Sequence, residues 1–303
     1  MAGTRRRFVR CAGGVDVTAS AEELDITVRG SRLHAQRFGS PSAPLVFGLA
    51  GLTGNMKHLD HLGEGIAGDA LQLVALDWRG RGMSESTPPG TYGWENHALD
   101  VLAVATELGH ERFAAVGQSM GASVVMKIAE LAAPRLEAAV LVDVAGRVDR
   151  GVGAVIAESM DRLGKVYASA DDYVRAVREQ GLVDPWTDSW ERAHRYELED
   201  VDGGVRARTS VEAVAEDRAY TMTQHPYDRW KHLTMPTMLV RATRELRPGS
   251  GFVVPVDDRD AFVEQVPGAT VVEVDANHLS INSHPDTATA VRSFLSTVRR
   301  PRR

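Results

Sequence analysis

Phe113-Ala114-Ala115-Val116-Gly117-Gln118-Ser119-Met120-Gly121-Ala122-Ser123 is the stretch whose reading decides the fold. Its first residues form a short apolar run of strand length, and from Met120 onward small and apolar residues recur at helical spacing. A serine flanked by Gly117 and Gly121 stands where the period changes. A chain passing from strand to helix within so few residues bends sharply, and glycine on either side removes side chains that would clash in the bend. Such a bend presents the serine hydroxyl clear of the backbone, which makes Ser119 the candidate nucleophile.

Outward from this point, short apolar strands alternate with amphipathic helices. Strands are predicted at 24–29, 32–37, 45–49, 72–77, 113–117, 139–143, 238–242 and 270–275, and helices at 96–108, 120–132, 259–266 and 286–298. This alternation predicts an α/β fold with a mostly parallel, eight-stranded sheet covered by helices on both faces. Between Gly146 and Lys231 the pattern changes: helical periodicity persists without a β-branched run, and Trp and Tyr become frequent. The stretch 147–231 is therefore predicted to be an inserted helical cap. Residues 21–146 and 232–299 form the core around it, and 1–20 are a flexible tail. A cap inserted there covers the carboxyl ends of the strands, where open α/β sheets bind their ligands.

A serine hydroxyl is a weak nucleophile at its own pKa and needs a base, for which His is suited near neutrality. His278 follows the apolar strand Val271-Val272-Glu273-Val274 in a short loop, which puts it at the same sheet edge as Ser119. The base in turn needs a carboxylate to fix its tautomer. Asp143, ending the strand Ala139-Val140-Leu141-Val142, is favoured; Glu245, beyond the strand at 238–242 and between Arg244 and Arg247, is the alternative acid. An ion pair with those arginines would be the non-catalytic reading of Glu245. The anion of a tetrahedral intermediate needs fixed donors. Met120 N–H, at the helix start, and Leu52 N–H, in the glycine-rich turn Ala50-Gly51-Leu52-Thr53-Gly54, are the candidates.

Composition excludes several classes. Hydrophobic residues make up 43% of the chain and charged residues 25%, as in ordinary globular proteins. The net charge of −6, with arginines gathered in 5–7 and 299–303, argues against a nucleic-acid partner. The single cysteine, Cys11, forms no internal disulfide. Thr4-Arg5-Arg6-Arg7-Phe8 resembles a twin-arginine signal, but Asp16, Glu22 and Glu23 interrupt the apolar stretch such a signal needs. No window approaches the roughly 20 apolar residues of a membrane span. A cytoplasmic monomer or homodimer acting on a small-molecule substrate is expected, with no cofactor and no metal, because no ligand cluster has zinc-like spacing.

The order nucleophile, acid, histidine, with a glycine-rich loop ahead of them, resembles the α/β-hydrolase superfamily from Leu24 to Val298. Asp77-Trp78-Arg79-Gly80-Arg81-Gly82-Met83-Ser84 is similar to that family's Asp-x-Arg-Gly-x-Gly-x-Ser turn, whose role there is chiefly structural. Two departures stand out. Alanine occupies position 50, where the family usually has His before Gly, and Ala242-Thr243-Arg244-Glu245 replaces the usual Gly-x-x-Asp turn. Some members carry the acid after the sixth strand, an arrangement that Asp143 suits. The resemblance implies hydrolysis of a small, fairly apolar carboxylic ester or lactone through a serine acyl-enzyme. Aromatic cap residues, Trp186, Trp190, Tyr196, Tyr220 and Trp230, with Met222, are candidates either for an apolar pocket or for plain packing. A carbon–carbon bond hydrolase of the same fold, which would need a cation facing a substrate carboxylate, and a small-ligand sensor without turnover are the rival readings.

Overall fold

The computed structural model describes residues 21–298. The expected flexible tail, Cys11 and the terminal arginine clusters lie outside the described residues.

In chain order the core opens with β1 (Ala21–Val28), β2 (Ser31–Phe38), β3 (Leu45–Leu49), α1 (Asp60–Ile66), β4 (Gln72–Leu76), α2 (Trp94–Glu107), β5 (Phe113–Gln118), α3 (Met120–Ala132) and β6 (Leu136–Val142). An insertion follows, with α4 (Arg150–Ser159), β7 (Val166–Tyr167), α5 (Ala170–Glu179), α6 (Asp188–Tyr196), β8 (Leu198–Val201), β9 (Gly204–Ala207) and α7 (Val211–Thr223). The core then closes with β10 (Thr237–Ala242), α8 (Val256–Gln265), β11 (Thr270–Val274) and α9 (Pro285–Val298).

Eight strands form one sheet in the order β1-β2-β4-β3-β5-β6-β10-β11. The pairs β1–β2 and β2–β4 are antiparallel, and the rest are parallel. Composition explains the difference. Every residue of β3, β4, β5 and β10 is buried, as expected for strands covered on both faces, whereas β1 exposes most of its residues at the edge. Arg29 and Gly30 both have positive φ, 48° and 73°, which suits the two-residue turn joining β1 to β2. Successive strand residues face opposite ways, so Phe47 and Leu141 join one core cluster while Val46 and Val140 join the other.

The inserted segment differs from the all-helical cap expected from sequence. It carries a three-stranded antiparallel sheet in the order β7-β9-β8. These strands are only two to four residues long and partly exposed, and β8 and β9 carry charged residues, so no apolar run announced them. The turn dipeptide Asp202-Gly203, linking Val201 to Gly204, was the available signal. Short α1, which carries His61, lies beside the sheet's β4.

The insertion is tied to the core by polar contacts. Asn55 Nδ2 donates to Ala193 O at 3.0 Å, Asn277 Nδ2 to Leu182 O at 2.9 Å, and Tyr196 Oη to Asp77 Oδ2 at 2.5 Å. Among the described residues no helix is long and apolar enough to cross a membrane.

Candidate active site

Ser119 closes the turn between β5 and α3 with φ 55° and ψ −119°, a conformation that costs a non-glycine residue about 1–3 kcal/mol. The flanking glycines allow it. A Cβ on Gly121 would stand 2.1 Å from Leu49 O, and one on Gly117 would stand 2.3 Å from the Gly121 carbonyl carbon. Strand β5 therefore delivers the serine only because the start of α3 lies directly against it.

Asp143 follows β6, also with positive φ (51°), and is 2% exposed. One carboxylate oxygen accepts His278 Nδ1–H at 2.9 Å, and the other accepts Ala242 N–H at 2.9 Å. His278 thereby carries its proton on Nδ1 and leaves Nε2 as a lone pair. The loop bearing it is pinned by Asn277, whose Oδ1 accepts the N–H groups of Leu279 and Ser280. Glu245 stands apart from this pair. Its two oxygens accept Gly249 N–H at 2.6 Å and Gly251 N–H at 3.0 Å, so it shapes its own loop. The anticipated ion pairs with Arg244 and Arg247 do not form: Arg244 faces Asp184 and Asp275, and Arg247 faces Glu158.

Ser119, His278 and Leu52 border one cavity of about 110 Å³ between core and insertion. Ser119 Oγ makes no hydrogen bond among the described residues. The Nε2 side of His278 instead meets Gln118, whose Nε2 lies 3.4 Å from it and donates to His278 O at 3.1 Å. Gln118 is a residue that sequence reasoning missed. The signal was its place next to the serine inside the bend.

The loop after β3 runs close against the serine. A Cβ on Gly51 would stand 3.3 Å from Ser119 Cβ and 2.6 Å from Gln118 Oε1. The loop's carbonyls are held from behind: Trp78 Nε1 donates to Ala50 O at 3.0 Å, and Arg81 donates through Nε and Nη2 to Leu52 O at 3.1 Å. Leu52 N–H and Met120 N–H donate to no protein group among the described residues. An unpaired N–H at the start of a 13-residue helix is a ready donor for an anion.

The 77–84 turn supports this loop. Asp77 accepts Met56 N–H at 2.7 Å and Met83 N–H at 2.9 Å, and burial pushes its carboxyl up despite those bonds. Arg79 pairs with Asp100, and Ser84 Oγ donates to Asp77 O at 2.7 Å. Arg81, which sequence reading left unassigned, is fully buried and pairs with Asp217 of α7 at 2.5 Å.

Of the aromatic residues considered for the pocket, Trp190 alone borders the cavity. Trp230 packs in the core, Tyr220 packs at a tilt against Trp94, and Met222 is 81% exposed. Among the described residues no group of His, Cys, Asp or Glu is placed to hold a metal ion.

An eight-stranded sheet with this strand order and a segment inserted after β6 defines the α/β-hydrolase class. The profile of the Alpha/beta hydrolase family matches residues 34–291, and the chain belongs to that family. N-formylmaleamate deformylase of Pseudomonas putida is 34% identical over 119 residues, 39% of this chain and 44% of that protein. The chain's matches thus span less than half the length of its curated relatives. Among solved structures, E-2-(acetamidomethylene)succinate hydrolase superposes with a TM-score of 0.80 at 20% identity, over 91% of this chain and all of that one. An alpha/beta hydrolase from Novosphingobium aromaticivorans gives 0.74 at 25% identity, over 92% and 99% of the two chains.

Proposed function

We propose that the protein is a serine hydrolase that cleaves a small carboxylic ester or lactone through an acyl-enzyme. The observation that carries this reading is the Asp143–His278 hydrogen bond, which puts the ring's lone pair on His278 Nε2, beside Gln118 and at the cavity that Ser119 also borders.

Ser119 Oγ attacks the substrate carbonyl carbon while its proton passes to His278 Nε2. Asp143 stabilises the imidazolium so formed. The carbonyl oxygen becomes an anion held by the N–H groups of Leu52 and Met120. Collapse expels the alkoxide, which takes the proton from His278, and leaves the acyl group on Ser119. Water then repeats the sequence: His278 removes its proton, the hydroxide adds to the acyl carbon, and the carboxylic acid departs as Ser119 is reprotonated. Gln118 withdraws from His278 Nε2 when Ser119 engages it.

A second reading uses the same steps on an activated amide. It is favoured by the name of one similar protein, N-formylmaleamate deformylase, which speaks of an N-formyl group. The carbon–carbon hydrolase finds less support, since Arg162, the cation bordering the cavity, is already paired with Glu197. The test is turnover of p-nitrophenyl acetate and butyrate, with a burst that marks the acyl-enzyme. Ser119→Ala is expected to lower kcat by about 10⁴-fold or more. Absence of turnover and of phosphonate labelling at Ser119 in the wild type would favour the sensor reading.

A further inference from the structure

Ser119 and His278 occupy one part of the cavity; its remaining wall holds polar groups that the acyl-transfer steps leave unused. Asn282, in the turn after His278, is 2% exposed and borders the cavity, and its Oδ1 is enclosed without a partner. Leaving such a group unpaired is unfavourable, a cost that a bound ligand would relieve.

His58 borders the same space. Its Nδ1 accepts Asn55 N–H at 3.0 Å, so the ring proton sits on Nε2, and no group among the described residues accepts it. Burial, and then the neighbouring His194, push its pKa down to about 3, so the ring remains a neutral donor. Trp190 and His194 hold it in place, with ring centroids 4.9 Å and 5.3 Å away.

Arg162 brings a charge to this wall, but the charge is engaged. Its Nε donates to Tyr173 Oη at 2.8 Å and its Nη1 to Ser159 O at 2.8 Å, while Nη2 faces the Glu197 carboxylate at 3.4 Å and 3.5 Å. Burial alone would raise the Glu197 carboxyl, yet Arg162 and the hydrogen bond from His194 hold it well below the usual carboxylate range. The Arg162–Glu197 pair is therefore balanced, and among the groups that border the cavity His58 offers a neutral donor and Asn282 a neutral amide.

We propose that this wall is a subsite for a neutral carboxamide carried on the substrate's acyl group, its carbonyl oxygen taking His58 Nε2–H and its N–H pairing with Asn282. The proposal rests on the serine-hydrolase reading. A carboxylate has no N–H for Asn282 and finds Arg162 neutralised; a hydrocarbon leaves both polar groups buried and unpaired, the situation in which sites reject analogues most strongly.

The test compares methyl malonamate and methyl succinamate with their hydrocarbon isosteres, methyl 3-methylbutanoate and methyl 4-methylpentanoate, and with the acids monomethyl malonate and monomethyl succinate. Binding is measured by calorimetry to Ser119→Ala, and turnover by pH-stat with the wild type. At one of the two chain lengths the amide is expected to bind at least tenfold tighter than either counterpart. Asn282→Leu or His58→Phe, each made in the Ser119→Ala protein, is expected to bring the three ligands within about threefold of one another. Asn282→Ala and His58→Gln serve where the bulkier replacements fail to fold. Tighter or equal binding of the hydrocarbon or the acid at both lengths overturns the subsite, as does a preference that survives the variants. Amide-selective binding without wild-type turnover of any ester would sink the hydrolase reading while leaving the subsite standing.

Discussion

His278 Nδ1 lies 2.9 Å from Asp143 Oδ2, in a bond buried at both ends. Because Ala242 N–H occupies the other carboxylate oxygen, Asp143 has one orientation, and the imidazole that it holds has one tautomer. Asparagine at 143 can keep the shape while offering N–H where an acceptor is required. Asp143→Asn is therefore expected to lower kcat by about 10³–10⁴-fold in ester turnover, with a melting temperature close to wild type. Glu245→Gln, altering a carboxylate that receives two loop N–H groups, is expected to leave kcat within about threefold. Loss of activity in the second variant alone would make Glu245 the acid.

A side chain at Gly51 would crowd both the nucleophile and its neighbour. A methyl group there would meet Gln118 Oε1 at 2.6 Å. Gln118 in turn donates to His278 O, so displacing it disturbs the base. Gly51→Ala is expected to reduce kcat by about tenfold or more, through misplacement of groups that must stand within a fraction of an ångström. Adding Gln118→Ser removes the obstacle. The double variant is expected to be no slower than the slower single one, a non-additivity that a double-mutant cycle measures.

The parts legible from sequence were those with local marks. Core strands read as unbroken apolar runs, and Ser119, Asp143 and His278 stood out because each follows such a run at one edge of the sheet. Gln118 and Arg81 had no such mark. Gln118 meets His278 across 160 positions, and Arg81 meets Asp217 across 136, so neither partnership leaves a period or a spacing behind. The cap sheet was missed because its strands are too short for alternation to emerge from charged, half-exposed residues. Cap aromatics misled for a related reason: Trp and Tyr serve packing and pocket alike, and only the fold assigns Trp190 to the cavity and Trp230 to the core.

His58 links the cavity to acid stability. Its folded pKa of about 3 lies below the ordinary imidazole value of 6.5, so the unfolded chain binds the proton more readily. The contribution is intact above pH 6.5 and is lost as the pH falls toward 3. Within that window the slope is at most about 1.4 kcal/mol per pH unit for one proton. His58→Gln, which has no proton to take up, is expected to flatten the dependence in urea melts between pH 6.5 and 4. An unchanged slope would mean that the ring is already protonated or freely solvated in the folded protein.

Arg81 joins the cap to the loop that carries Leu52. Burial alone would raise the Asp217 carboxyl, but His97 and Arg81 hold it at about 2, against 3.8 for an aspartate in the unfolded chain. The stabilisation is therefore present above about pH 4 and is lost as the pH falls toward 2. Its size is on the order of 2–3 kcal/mol. Asp217→Asn removes the partner of a buried guanidinium and is expected to cost about 3–5 kcal/mol in denaturant melts. Arg81→Lys is the sharper probe, since an ammonium cannot reproduce the fork that reaches Leu52 O and Asp217 together. With Leu52 N–H as an anion donor, a loosened loop costs transition-state binding more than ground-state binding, so kcat is expected to fall about 10–10²-fold with KM within threefold. A drop in melting temperature with kcat unchanged would make Arg81 a fastening for the cap alone, and Leu52 would then owe its place to Trp78 and the packing of Gly51 against Ser119.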